Sequence, residues 1–220
     1  MGKVVVIGGH SRNIGKTSVM AEIIRHTSEL KWIAMKITQY GHGVCSVNGK
    51  SCHCSTDEHQ FAVLEEKDRA GKTDSSRFLV AGAQKSFWVR TKQGMLFEAL
   101  SAIREIISDV PYAILESNSI LRFFKPDLYL VVLDATVLDF KASTKQFLDR
   151  ADAYVRIEQD ARDQWPGISE KLIANKPAFP VKRGEYFSDT LLQFVQEKIV
   201  DGFLSSAEKS TSRSNNRSTN

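Results

Sequence analysis

Two hydrophobic repeats trade places along this chain. Short continuous apolar runs alternate with stretches carrying an apolar residue every third or fourth place. Val4-Val5-Val6-Ile7 is the first such run, followed by a glycine-rich turn and then by Val19, Met20, Ile23 and Ile24, which share one helical face and predict a helix to about Ser28. Trp32 to Ile37 reads as a second strand, Glu58 to Lys67 as a short helix, Ser75 to Gly82 as a helix and Gln84 to Arg90 as a strand. Leu96, Leu100, Ile103 and Ile107 mark an amphipathic helix that must end before Pro111. Tyr112–Glu116 and Asp127–Leu133 hold short continuous apolar runs, the pattern of strands buried on both faces. The spacing then predicts a helix over Phe140–Arg150, a strand at Ala153–Ile157, a turn at Trp165-Pro166-Gly167 and a strand at Ala178–Val181. A last helix carries Leu191, Leu192, Val195, Ile199 and Phe203 on one side. Such alternation implies an α/β fold, a doubly wound and mostly parallel sheet with helices on both faces and ligands at the carboxyl ends of its strands.

Two stretches break the pattern. Residues 41–60 lack an apolar period and hold all three cysteines, so they read as an inserted loop. Beyond Leu204 the composition collapses to Ser, Asn, Thr, Lys and Arg, predicting one domain over residues 1–204 and a disordered tail over 205–220. Hydrophobic and charged contents of 42% and 25% suit one globular domain able to bury a core without disulfides. The net charge of +4 owes half its value to the tail, where Lys209, Arg213 and Arg217 outnumber Glu208. With no basic stripe interleaved with aromatics, neither nucleic acid nor membrane is expected as a partner. The chain shows no basic-then-apolar export pattern and no apolar run near the ~20 residues of a membrane span. An odd cysteine count without an export signal then points to a reducing cytoplasm.

The first turn carries the strongest chemical signal. Gly8-Gly9-His10-Ser11-Arg12-Asn13-Ile14-Gly15-Lys16-Thr17-Ser18 runs from strand to helix and ends in Gly-Lys-Thr. Gly9 and Gly15 remove Cβ atoms that would block close backbone approach, and the amides from Asn13 to Ser18 can point at phosphate oxygens. The helix that follows adds its positive end. Lys16 would reach the β- and γ-phosphates of a nucleotide, and Thr17 would ligate Mg²⁺. Five residues lie between Gly9 and Gly15, one more than the common spacing, and the loop thereby resembles the dethiobiotin-synthetase branch of the P-loop NTPases.

Other candidates sit where a strand ends. Glu116 can hold Mg²⁺ or position a water, or can be an ordinary strand-terminal acid. Lys36 is out of place in a buried strand unless it meets an anion, although a snorkelling side chain is the plainer explanation. Asp74 and Ser75 read as a helix N-cap, with Arg77 as a cation toward a substrate phosphate. Cys45, Cys52, Cys54 and His59 supply three thiols and an imidazole within fifteen residues, with His42 and His53 close by. A zinc clip, unliganded loop cysteines and redox chemistry all fit that set.

Taken in order, the loop, Lys36, Gly71-Lys72-Thr73-Asp74-Ser75-Ser76-Arg77, Ala81-Gly82-Ala83 and Glu116 resemble the MobB-type molybdopterin-guanine dinucleotide biosynthesis proteins over Lys3 to Leu133. The sequence departs from that pattern at Ile37, where the family has histidine, at the inserted Thr73 and at Ser117, where it has glycine. The resemblance implies GTP and Mg²⁺ as ligands, catalytic roles for Lys16 and Glu116, a homodimer and a cofactor-assembly enzyme as partner. By analogy with guanine-binding relatives, Asp160 falls in register with the base-reading aspartate. ATP-dependent carboxylate activation is the second reading, and a nucleotide-switched zinc adaptor the third.

Overall fold

The computed structural model describes residues 2–40, 61–157 and 165–200. The Cys/His set, Asp160 and the expected tail lie outside them. In chain order the elements are β1 (Lys3–Gly9), α1 (Lys16–His26), β2 (Ile33–Tyr40), β3 (Phe61–Glu65), α2 (Asp74–Val80), β4 (Lys85–Lys92), α3 (Leu100–Ser108), β5 (Tyr112–Glu116), β6 (Leu128–Asp134), α4 (Ala142–Lys145), β7 (Ala153–Ile157), α5 (Glu170–Ala174), β8 (Ala178–Val181) and α6 (Asp189–Ile199). The described strands form one sheet of eight in the order β3-β4-β2-β5-β1-β6-β7-β8. Its pairings are parallel except β3 on β4, which is antiparallel.

Strand pleating divides the apolar residues between two cores. Val5 and Ile7 of β1 face Val19 and Met20 of α1, Phe78 of α2 and Leu191 and Val195 of α6. Val4 and Val6 face the other way, onto Leu96, Ile103, Ile107, Leu148 and Ile173. Burial of both faces explains why the central strands read as continuous apolar runs. The fold is doubly wound, with β1 between β5 and β6: from β1 the chain passes to β2, β3 and β4 on one side, returns to β5, and then crosses to β6, β7 and β8 on the other. The end of β1 is therefore a topological switch point, where a crevice opens at the carboxyl edge.

Three expectations are corrected. The short helix expected over Glu58–Lys67 gives way to β3, at least over the described part: Phe61 and Val63 turn toward a core while Leu64 stays 46% exposed, a period of two rather than 3.6. The helix expected over Phe140–Arg150 shrinks to α4 and a 3₁₀ turn at Leu148–Arg150. Its first residues are committed elsewhere, since the Lys141 N–H donates to the His10 carbonyl at 2.8 Å and the Thr144 hydroxyl to the Gly9 carbonyl at 2.8 Å. Helix α5 was not anticipated, because Ile173 is its one buried residue and leaves no readable period.

Candidate functional site

The turn after β1 is held from both sides. Asn118, just past β5, accepts from the Gly9 N–H at 3.0 Å and donates to the Gly9 carbonyl at 2.9 Å and to Thr144 Oγ1 at 2.7 Å. The Ser11 hydroxyl donates to Asp139 at 2.7 Å. Buried His10 reaches the same segment, with Nδ1 at 2.8 Å from the Asp139 carbonyl and Nε2 accepting from the Asp134 N–H at 3.0 Å. An acceptor at Nε2 leaves the ring proton on Nδ1, so the imidazole is neutral. Burial foremost holds its pKa below the ordinary value, with the Lys16 charge acting in the same direction.

Between these anchors the backbone is unpaired. The N–H groups from Ser11 through Ser18 meet no acceptor among the described residues, and the first helical bond of the segment is Val19 N–H to the Gly15 carbonyl at 2.9 Å. Gly15 turns into α1 at φ 89°, a conformation that favours a residue without Cβ, and Asn13 adopts φ 56°. The Lys16 side chain folds back across Gly9, and its ammonium donates to the Ser11 carbonyl at 2.6 Å. Burial lowers the Lys16 pKa, and the nearby Glu116 charge opposes that shift. Eight consecutive unpaired amides beside a cation are an arrangement that can bind an anion.

A cluster of oxygen donors lies beside it. Thr17 Oγ1 donates to Glu116 at 2.7 Å in a buried contact. The Lys36 ammonium sits 2.5 Å from Glu116, 2.9 Å from Asp74 and 3.3 Å from Thr17 Oγ1. Burial works against the Lys36 charge, but the Glu116 and Asp74 carboxylates more than offset it and raise its pKa. Asp74 is available for this contact because the N-cap of α2 is Thr73, whose hydroxyl accepts from the Ser76 N–H at 3.1 Å. That corrects the expectation that Asp74 and Ser75 cap the helix. Arg77 donates to the Ser18 hydroxyl at 2.9 Å and so ties α2 to α1.

No family model and no curated protein matches the chain. Solved structures do. HypB from Helicobacter pylori in complex with nickel aligns at a TM-score of 0.50 and 14% identity, over 92% of this chain and 89% of that one. The apo form of LpxK from Aquifex aeolicus in complex with ATP aligns at 0.44 and 16%, over 81% and 53%. A zinc-bound triple mutant of the YjiA GTPase aligns at 0.39 and 16%, over 87% and 61%. The chain shares the doubly wound α/β fold of HypB.

Within that fold, the sequence-predicted residues fall into three groups. Gly9, Asn13, Ile14, Gly15, Lys16, Thr17 and Ser18 lie in the P-loop or the first turn of α1. Gly9 leaves room for the Lys16 side chain, which a Cβ there would meet at 2.7 Å, while its N–H is taken by Asn118. Lys36, Asp74 and Glu116 converge on Thr17, while Arg77 reaches Ser18 from outside. Asp160 and the four Cys/His candidates fall outside the described residues. Sequence reasoning missed Asn118 and Thr144, the two side chains that anchor the P-loop; the one available signal was the position of Asn118 two residues past Glu116.

Proposed function

We propose that the chain binds a nucleoside triphosphate with Mg²⁺ in the P-loop and hydrolyses it slowly, as a switch or timer in cofactor assembly. The observation that carries this reading is the run of unpaired amides from Ser11 to Ser18 under the Lys16 ammonium. Ser11, Ile14 and Thr17 in this run are buried, and buried backbone donors are nearly always paired, so the run asks for an external anion with several oxygens. The Thr17 hydroxyl and the Glu116 and Asp74 carboxylates are hard oxygen donors, which suits Mg²⁺. Mg²⁺ bound there would neutralise charge on the phosphates.

The chain's own groups do the rest. Amides and Lys16 orient the triphosphate end and stabilise the charge that builds on the transferred phosphoryl group. Glu116, fixed by Thr17 and Lys36, would hold Mg²⁺ directly or through water. GTP in molybdopterin guanine dinucleotide formation is the finer reading, supported by the MobB-like order of Lys36, Asp74, Arg77 and Glu116. In that setting the protein would act in the cytoplasm as a homodimer with a cofactor-assembly enzyme, and Asp160 would read the base. Cys45, Cys52, Cys54 and His59 would clip the segment after β2 with zinc, a reading that metal analysis of the purified protein tests.

Equilibrium binding of fluorescent GTP and ATP, with Lys16→Ala as the control, decides the main point. Micromolar binding of at least one triphosphate is expected. Lys16→Ala should weaken it by about 10- to 100-fold, the worth of a charge-assisted contact, with unchanged circular dichroism. Wild-type protein that binds neither nucleotide at millimolar concentration overturns the reading.

A further inference from the structure

Lys141 stands in the segment between β6 and α4, the side of the P-loop opposite Glu116 and Lys36 in strand order. Its backbone is fastened to the loop: the Lys141 N–H donates to the His10 carbonyl at 2.8 Å, and three residues on Thr144 holds the Gly9 carbonyl. The neighbouring Asp139 accepts from His10 and Ser11. The placement of Lys141 is thus set by the same bonds that shape the loop. Its side chain is half-buried, and among the described residues no carboxylate lies within ion-pair distance of its ammonium. Burial beside cations is unusual for a lysine unless an anion joins them.

Two cations and two carboxylates surround this ammonium, and the cations act on it more strongly. Lys16 from α1 and Arg12 from the P-loop repel it, while Asp139 on its own segment and the more distant Glu116 on β5 attract it more weakly. Burial first, then those two cations, pull its pKa down to about 8. Lys16 is already engaged with the Ser11 carbonyl and Lys36 with two carboxylates, which leaves Lys141, close enough to Lys16 and Arg12 to feel their charge, as a cation without a partner among the described residues.

We infer that Lys141 is a second phosphate-binding cation, supplied in cis, which contacts the terminal phosphoryl group of a bound nucleoside triphosphate across the loop from Glu116. The inference rests on the nucleotide reading above and adds to it the residue that distinguishes triphosphate from diphosphate. A cation there would lie over the oxygens that gain or lose charge in phosphoryl transfer, a role often given to an arginine supplied by a partner.

The test compares fluorescent GTP with GDP, and ATP with ADP, on wild type, Lys141→Met, Lys141→Arg and the exposed control Lys145→Met. Lys141→Met should reduce the preference for triphosphate over diphosphate by about tenfold or more, as loss of one charge-assisted bond implies, while diphosphate affinity stays within about twofold. Lys141→Arg should restore most of the preference, and Lys145→Met should behave as wild type. In wild-type protein the preference should decline above about pH 8, where the free ammonium loses its proton, and this decline should be absent from Lys141→Met. Equal losses for both nucleotides, an unchanged preference, or a flat wild-type pH profile would each overturn the inference while leaving nucleotide binding standing. If wild type bound no nucleotide, both readings would fall together. Should Lys141→Met fail to fold, the wild-type pH profile and Lys141→Arg still decide the matter.

Discussion

His10 shows how much one side chain in the loop is asked to do. It is fully buried against the rings of Phe140 and Trp165, each with centroids 5.1 Å away, and it bridges the P-loop to Asp134 and Asp139. Protonation at Nε2 would set two N–H groups against each other at the Asp134 amide. Burial keeps its pKa in the folded protein below the ordinary 6.5. The unfolded ring takes up its proton first as pH falls through that value, so the stabilising effect of neutral His10 is complete above it and is lost toward the folded pKa. Urea unfolding midpoints should accordingly drop between pH 7 and pH 5. His10→Gln should flatten the pH dependence and cost about 1–3 kcal/mol at pH 7, since the Asp139 carbonyl loses its donor. An unaltered slope would mean that another group titrates. The loop composition made His10 visible, but its partners lie 129 and 124 residues away, so its role was not.

Among the elements, β1 is the most tightly constrained at its carboxyl end. A Cβ on Gly8 would fall 2.3 Å from Asn118 Oδ1 and 2.8 Å from the Tyr129 ring, whereas one on Gly9 would meet the Lys16 side chain at 2.7 Å. Asn118 and Tyr129 are packed in place, while the lysine stem can swing aside. Gly8→Ala should thus unfold at lower denaturant, by about 1–3 kcal/mol as overpacking predicts. Gly9→Ala should keep most of its stability and instead lose triphosphate affinity; thermal melts and nucleotide titrations on the pair separate the two effects. At the same end of the sheet α4 stops after one turn, where the Phe147 N–H bonds the Thr144 carbonyl at 3.1 Å and the chain passes into 3₁₀ geometry. Helical spacing from Phe140 to Arg150 was real in the sequence; that change of geometry was not written there. β3 illustrates the reverse case, a short run that takes the period of the strand it pairs with.

At the scale of the molecule, strand order converts distant acids and cations into one site. β5 and β6 flank β1, bringing Glu116 and the Lys141 segment to opposite sides of the loop, and β2 beyond β5 adds Lys36. A ligand held by all of these should stabilise the whole fold. Mg²⁺ and triphosphate at about 100 times the dissociation constant should raise unfolding free energy by about 2.7 kcal/mol. The gain should shrink without Mg²⁺ and be lost in Lys16→Ala, as denaturation with and without ligand would read out. No helix among the described residues is long and apolar enough to cross a membrane.

The sequence by itself determined the α/β alternation, the two-faced burial of the central strands and the loop from Gly9 to Ser18, because periodicity and glycine placement act over a few residues and need no distant partner. Only the tertiary structure decided that Asn118 and Thr144 clamp the loop, that Thr73 rather than Asp74 caps α2, and that Lys36 meets Glu116 and Asp74 together. Such contacts join positions far apart in the chain. Their geometry follows from strand order, which local hydrophobic patterning leaves open.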